Sequence, residues 1–180
     1  MISLPVSTHP RTDTPRLPSL ETCVRFSLVG VAVALCYQWN WPALRYWTSE
    51  LNIRLDSLFG IFLQRVGSDT VFWKGVLYQY TNACTFVDVW CGAVPLLWIR
   101  RHTVPHNLRA LATWFLALTT FNVLRLSFSD VLFDRGVPWA LAHNVVGGLS
   151  YFAVWVTIVR YRERERGFPA GSGLHFDFGG

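Results

Sequence analysis

The sequence predicts an all-α integral membrane protein, and three of its features support that prediction. Hydrophobic residues make up 52% of the 180 residues and charged residues only 15%, whereas average soluble proteins carry about 25% charged residues. Long apolar segments recur along the chain. There are also nine Trp and six Tyr residues, the residue types that collect where a membrane meets water.

Four apolar segments are expected to form transmembrane helices, and they cover residues 26–41, 82–98, 110–128 and 137–159. The first could instead be a secretory signal peptide, but no small-x-small cleavage pattern follows it, so a retained helix is expected. The length predicts one domain. We expect a flexible tail over 1–22, a polytopic membrane domain with the catalytic site over 23–161, and a basic and then Gly-rich tail over 162–180.

The region between the first two segments has two further patterns. Residues 50–66 carry apolar side chains every three or four positions, which is typical of an amphipathic helix lying in the membrane interface; these are Leu51, Leu55, Leu58, Phe59, Phe62 and Val66. Residues 70–80 alternate imperfectly around Lys74-Gly75. That alternation favours a short hairpin before the cysteine-bearing helix.

Basic residues predict the orientation of the chain in the membrane. Arginines precede the first segment, separate the second from the third, and follow the fourth. If the chain crosses four times, these groups lie on one side, which the positive-inside rule assigns to the cytoplasm. Both termini are then cytoplasmic, in a multi-pass protein of the inner membrane. The net charge of +5 is interpreted as a topology signal, and no nucleic-acid binding is expected.

Three polar side chains within the apolar segments fall at one depth. Cys84, Arg125 and His143 lie sixteen or seventeen residues from the arginines that bound their segments on the cytoplasmic side. Each is therefore roughly 25 Å above the inner boundary of a hydrocarbon core about 30 Å thick. We expect all three in one layer just below the outer surface. Charge at membrane depth is costly and usually marks function.

Each of these side chains also has a purely structural interpretation. A cysteine in a membrane helix is commonly a small packing residue. Arg125 could extend its charge to the lipid headgroups, and His143 could anchor a helix start at the interface. Asp88, one helical turn after Cys84, could pair with an arginine for stability alone. The shared depth of the first three weighs against these interpretations when the residues are considered together.

Three sequence blocks resemble the signature of the exosortase/archaeosortase family. The blocks are NACTFVDVWCG, FNVLRLSF and ALAHNVVGG, one in each of the last three apolar segments. Ala83-Cys84 matches the Ala-Cys block of the family. Asn122 and Arg125 match its Asn-x-x-Arg block, and His143 matches its histidine block. The resemblance covers about residues 70–160, close to half of the chain, and indicates a compact form of the family.

The resemblance implies a membrane-embedded cysteine protease or transpeptidase that needs no cofactor. Its substrate would be an exported, membrane-anchored protein with a C-terminal motif, a helix and a basic tail. Cleavage would occur at the outer membrane face, with the product joined in some cases to an envelope acceptor. Thr85-Phe86 stands where the family commonly has Ser-Gly, so the recognised peptide is expected to differ. Many members have further helices before this core, so substrate contacts made there would be absent here or supplied by a partner.

The residue types suggest a division of roles. A thiol in a low dielectric needs a neighbouring cation to form the thiolate nucleophile. Cys84 would attack a peptide carbonyl and form a thioester, and His143 would carry the proton from the thiol to the leaving amine. Arg125 would stabilise the thiolate or the oxyanion. Asn122 would orient the arginine or the substrate, and Asp88 would hold the arginine or the histidine.

Two other classes of function remain open. A thiol–quinone oxidoreductase needs an exchangeable cysteine pair, and Cys84 and Cys91 on one helix have poor geometry for that. A non-enzymatic membrane scaffold or assembly factor needs no reactive thiol. The four cysteines form no CxxC pair and have no zinc-site spacing, so no metal is expected. The expected partners are the lipid bilayer and a protein substrate.

Overall fold

The computed structural model describes residues 20–167 as five helices, a three-stranded sheet and one 3₁₀ turn. In chain order the elements are α1 (Leu20–Gln38), α2 (Pro42–Ser57), β1 (Gln64–Arg65), β2 (Thr70–Trp73), β3 (Val76–Gln79), the 3₁₀ turn (Asn82–Thr85), α3 (Val87–Leu97), α4 (Val104–Asp134) and α5 (Trp139–Gly167). The predicted tails over 1–22 and 162–180 lie outside the described residues, apart from the start of α1 and the end of α5.

Three helices within the described range are long and apolar enough to cross a membrane, namely α1, α4 and residues Trp139–Glu165 of α5. They correspond to the first, third and fourth predicted segments. Large apolar side chains are exposed along all three, among them Leu28, Val31, Leu116, Leu124, Leu149 and Phe152. Apolar surface on this scale is unfavourable in water and suits the hydrocarbon of a bilayer. The helices therefore support the prediction of a membrane protein.

The second predicted segment, over 82–98, is not one continuous helix. Residues Asn82–Thr85 form a 3₁₀ turn, and Phe86 then takes a left-handed conformation with φ of 58° before α3 begins. The 11 residues of α3 extend about 16 Å, roughly half the thickness of the hydrocarbon core. The expectation of a fourth full-length helix here is thus wrong, because the backbone φ becomes positive at Phe86 and interrupts the helix.

The amphipathic helix predicted over 50–66 is displaced toward the N-terminus. It begins at Pro42, in the first turn, where proline is favoured, and it ends at Ser57. The chain turns at Gly60, where φ is 78°, and Gln64–Arg65 forms strand β1. The prediction that residues 58–66 are helical is therefore wrong. The apolar residues that continued the spacing past the helix end, Leu58, Phe59, Phe62 and Val66, are exposed at the surface without being helical.

Helix α2 buries its polar face and exposes its apolar face. Asn52 and Asp56 are completely buried, whereas Leu51 is 43% exposed and Trp47 is 59% exposed. A soluble helix has the opposite arrangement. This inversion is expected for a helix whose outer face lies against lipid, and it places two polar side chains in the interior of the protein.

The predicted hairpin is confirmed and carries one additional strand. β2 and β3 pair antiparallel with Trp73 opposite Val76, and β1 pairs with β2 on the other side. Lys74 and Gly75 form the two-residue turn, and both have positive φ, of 48° and 79°. That geometry matches the twist of a hairpin. The sheet lies between α2 and the Cys84 turn in the chain.

Helix α3 lies at the centre of the packing and contacts α1, α4 and α5. Its buried apolar residues Val89, Ala93 and Leu96 belong to the main core cluster. The guanidinium of Arg25 in α1 donates hydrogen bonds to the carbonyls of Pro95 and Trp98, at 2.9 and 2.6 Å. These carbonyls are at the end of α3, where helices leave their acceptors unsatisfied. Arg25 therefore attaches the short helix to α1.

The tight packing of α3 at Gly92 gives a stability prediction. A methyl group on Gly92 would lie 2.8 Å from Cη2 of Trp155 and 3.0 Å from Cγ2 of Val33. We expect Gly92→Ala to lower the free energy of unfolding by about 1–3 kcal/mol, the usual cost of overpacking. Gly148→Ala in α5, which meets nothing within 4 Å, is the matched control. Thermal unfolding in detergent measures both, and equal stability of the two variants would contradict the packing described.

Candidate active site

Cys84 lies in the 3₁₀ turn rather than within a helix. Its backbone N–H donates to the carbonyl of Thr81 at 3.0 Å, and its Sγ is 3.5 Å from the Thr81 hydroxyl. The side chain is half-buried. A cysteine in such a turn has its backbone fixed from both sides while its thiol remains accessible. The sequence analysis placed it at the end of a helix, two residues before the left-handed residue Phe86 that ends the turn.

Phe86 ends the cysteine turn in an unusual backbone conformation. Its φ of 58° is disfavoured for a bulky side chain and requires support from packing. The ring is completely buried, lies 4.7 Å from the Tyr151 ring, and has the Arg125 guanidinium 4.9 Å above its centroid. This is the position at which the resembled family commonly has glycine, which adopts positive φ without strain. Here ring packing and a cation–π contact stabilise it instead.

Asn122 connects Cys84 to Arg125. The Asn122 side-chain nitrogen donates to the carbonyl of Cys84 at 2.7 Å, and its Oδ1 accepts from Nε and Nη2 of Arg125 at 3.3 and 2.9 Å. Both side chains are buried, with Arg125 only 6% exposed. The i, i+3 spacing places them on one face of α4. The guanidinium is therefore fixed beside the cysteine turn.

The guanidinium is also enclosed by α5. A methyl group on Gly147 would lie 3.2 Å from Nη1 of Arg125, so the glycine leaves the space that the arginine occupies. Cys84 and Asp88 both lie within electrostatic range of the guanidinium. Gly147 follows His143 by one helical turn, and the two residues therefore share a face of α5.

His143 and Cys84 line the same cavity. This cavity has a volume of about 260 Å³ and is bounded by the sheet, α4 and the start of α5. The imidazole stacks on the Trp139 ring, with centroids 4.8 Å apart and planes at 16°. Nδ1 of His143 is buried without a hydrogen-bond partner among the described residues. An imidazole held by stacking, with one nitrogen unused, can exchange a proton with a group in the cavity.

Asp88 binds two tyrosines and has no direct contact with the other candidates. Its carboxylate accepts from Tyr37 at 3.0 Å and from Tyr151 at 3.1 and 3.2 Å. Within residues 20–167 no hydrogen bond or ion pair joins it to Arg125 or His143. The expected role of Asp88 in holding either residue is therefore not visible in this structure. It acts instead on the tyrosines that surround the cysteine turn.

Tyr151 is a site residue that the sequence analysis missed. Its hydroxyl lies 2.9 Å from the carbonyl of Ala83, so its proton can be donated there or to Asp88. His143, Gly147 and Tyr151 are spaced four residues apart along α5, which places all three on one helix face. That spacing was a signal available in the sequence. Tyr151 links this face of α5 to the residue that precedes the cysteine.

The structure thus brings Cys84, Asn122, Arg125 and His143 into one region of the protein. Their catalytic roles remain predictions. The arrangement offers an accessible thiol, a proton acceptor and a fixed cation. In the described part of the chain, no three metal-ligating side chains are placed to hold a metal ion.

Comparison of the chain with models of known protein families, with curated proteins and with solved structures gives no match.

The double hydrogen bonding of Asn122 gives a second stability prediction. Asn122→Ala leaves the buried Arg125 without its acceptor and the Cys84 carbonyl without its donor. We expect unfolding free energy to fall by about 2–3 kcal/mol, as for lost bonds to charged groups. Thr120→Ala, two residues earlier on the same helix and exposed, should stay within about 0.5 kcal/mol. Unfolding curves in detergent compare the two variants. A similarly small loss of unfolding free energy in both would show that the hydrogen bonds of Asn122 contribute little to stability.

Proposed function

We propose that this chain is a membrane-embedded cysteine protease or transpeptidase, similar to a compact exosortase. The observation that carries the proposal is that Cys84 and His143 line one cavity, while Asn122 holds Arg125 against the cysteine turn. A nucleophile, a proton carrier and a fixed positive charge are the groups that acyl transfer requires. They come from three separate elements of the chain, and ordinary helix packing does not require this combination.

The mechanism proposed for these groups begins with proton transfer from the Cys84 thiol to His143. The thiolate attacks a peptide carbonyl, and a C–S bond forms as the carbonyl electrons move onto oxygen. Arg125 stabilises the negative charge on the thiolate or on the oxyanion. The C–N bond then breaks, the amine leaves with the proton from His143, and a thioester remains. Water or an envelope nucleophile attacks the thioester and restores the thiol.

The proposed topology has four crossing segments and both termini in the cytoplasm. α1, α4 and α5 cross as complete helices, and the 3₁₀ turn with α3 forms the remaining, incomplete segment. Arg25 and Arg100 lie at the same end of α1 and α3, where they border one surface groove. The positive-inside rule assigns this end to the cytoplasm. Cys84 is at the opposite end of α3, so the site opens near the outer face of the cytoplasmic membrane.

The proposed substrate is an exported membrane protein whose C-terminal region contains a short motif, a transmembrane helix and a basic tail. The helix would place the motif at the depth of Cys84. The exposed apolar sides of α1, α4 and α5 suit contact with lipid or with such a helix. The product carries a new carboxyl terminus after hydrolysis, or a bond to an envelope acceptor after transfer.

One observation favours thiol redox chemistry as a second candidate. The thiols of Cys36 in α1 and Cys91 in α3 lie close enough to interact, a pairing that the sequence analysis did not predict. Two helices bring them together, which avoids the poor geometry of a pair on one helix. In an oxidoreductase the essential residues would be Cys36 and Cys91, and Cys84 would be dispensable. Individual cysteine substitutions therefore separate the two functions.

Cleavage in cells tests the proposed function. The chain is co-expressed with a candidate substrate that bears a C-terminal motif, helix and basic tail, and the size of the substrate is followed. We expect Cys84→Ala to abolish processing, because no other group replaces the thiol. His143→Asn should lower the rate by about 10²–10⁴, and Arg125→Lys by about 10²–10³.

The controls for this test are the other cysteines. Cys23→Ala, which changes an exposed residue, and Cys91→Ala should both leave processing intact at equal protein levels. Continued processing of an authenticated substrate by Cys84→Ala would contradict the protease proposal. Loss of a thiol-dependent activity in Cys91→Ala, but not in Cys84→Ala, would favour the oxidoreductase.

A further inference from the structure

The cavity that contains Cys84 and His143 also contains one acidic side chain, Asp130 of α4. We propose that this cavity binds a positively charged side chain of the substrate next to the reactive thiol, with Asp130 as its counter-charge. The identity of the ligand as a substrate residue rests on the proposed function, whereas the preference of the cavity for cations does not. Three observations support this assignment.

The first observation is a buried carboxyl pair with no basic partner. The Asn52 side-chain nitrogen donates to Asp56 at 2.6 Å and to Asp130 at 2.8 Å, so the two carboxyl groups lie together. Within residues 20–167 no ion pair reaches either of them. Two carboxyl groups held this close do not both ionise, so one proton is retained and shared by the pair. One negative charge then remains at the edge of the cavity, where the Arg125 guanidinium acts on it electrostatically without forming an ion pair in the described part of the chain.

The second observation is an excess of hydrogen-bond acceptors. Asn52 is completely buried, and its Oδ1 has no donor in the described part of the chain. The Tyr78 hydroxyl, in the cavity wall, also has no partner there. Buried polar groups are normally satisfied. An ammonium or guanidinium carries three or more donors and no acceptor, so it would complement a site rich in acceptors.

The third observation is the aromatic wall. Tyr78, Tyr80 and Trp139 line the cavity, and the rings of Tyr78 and Trp139 are 4.4 Å apart. Aromatic faces attract cations, with Trp and Tyr among the best. A carboxylate and aromatic rings in the wall of one cavity both favour a cation. An anionic side chain would be repelled by Asp130, and an apolar one would leave its charge unpaired.

The charge preference is testable on Cys84 without any substrate. A variant with Cys84 as its only cysteine is treated in detergent with trimethylammonioethyl or sulfonatoethyl methanethiosulfonate. The rate ratio of the cationic to the anionic reagent is divided by the ratio measured on 2-mercaptoethanol. We expect a normalised ratio of about 10 or more, since opposite charges attract strongly at short range in a partly buried site. Asp130→Asn should reduce it at least fivefold.

Asp134→Asn is the matched control, because Asp134 lies one turn later on α4, is half-exposed and pairs with Lys74 at 2.8 Å. It should leave the ratio unchanged. A second measurement avoids any folding defect of the Asp130 variant. In the variant that retains Asp130, butylammonium should slow the reaction of Cys84 with neutral methyl methanethiosulfonate, and butyrate at the same concentration should not.

A normalised ratio near one, or a ratio that Asp130→Asn leaves unchanged, would overturn the proposal. Equal protection by butylammonium and butyrate would also overturn it. If Cys84 prefers the cationic reagent but the Cys84→Ala variant still processes substrate, the cation site is supported and the protease proposal fails. The two proposals are therefore tested separately.

Discussion

The candidate site depends on one side chain, the amide of Asn122, which binds both the carbonyl of Cys84 and the guanidinium of Arg125. Its nitrogen is the donor in one bond and its oxygen the acceptor in the other, so an aspartate or a leucine could not make both. A buried cation without an acceptor is strongly unfavourable. The bridge therefore fixes the depth of the arginine and the position of the cysteine turn together.

Polar side chains are buried on the inner faces of two helices, whereas many large apolar side chains are exposed at the surface. The buried face of α4 carries Asn122, Arg125, Ser129 and Asp130, and that of α2 carries Asn52 and Asp56. In water such an interior would be poorly stabilised, because the hydrophobic effect would oppose it. Against lipid, each buried polar group must find a partner within the protein. The result is two hydrogen-bonded polar groups in the interior, one around Asn52 and one around Asn122, and Asp130 extends the first to the cavity of Cys84.

The short length of α3 is as important as its position. A continuous helix over 82–98 would place Cys84 on a helix face, with its backbone groups used in helical hydrogen bonds. The positive φ at Phe86 instead leaves the carbonyls of Ala83 and Cys84 free to accept hydrogen bonds from Tyr151 and Asn122. The turn is thereby held from α4 and α5, and the energetic cost of positive φ at a bulky residue is offset by ring packing.

The sequence by itself determined the membrane class, the three long helices and the hairpin turn at Lys74-Gly75. These properties follow from local composition and from the fixed rise of a helix. Only the tertiary structure decided that α3 is short, that Tyr151 supports the cysteine turn and that Asp130 faces the cavity. Each of these depends on contacts between residues far apart in the chain. Periodicity along one segment does not reveal such contacts, because it identifies a helix face but not the residues that pack against that face.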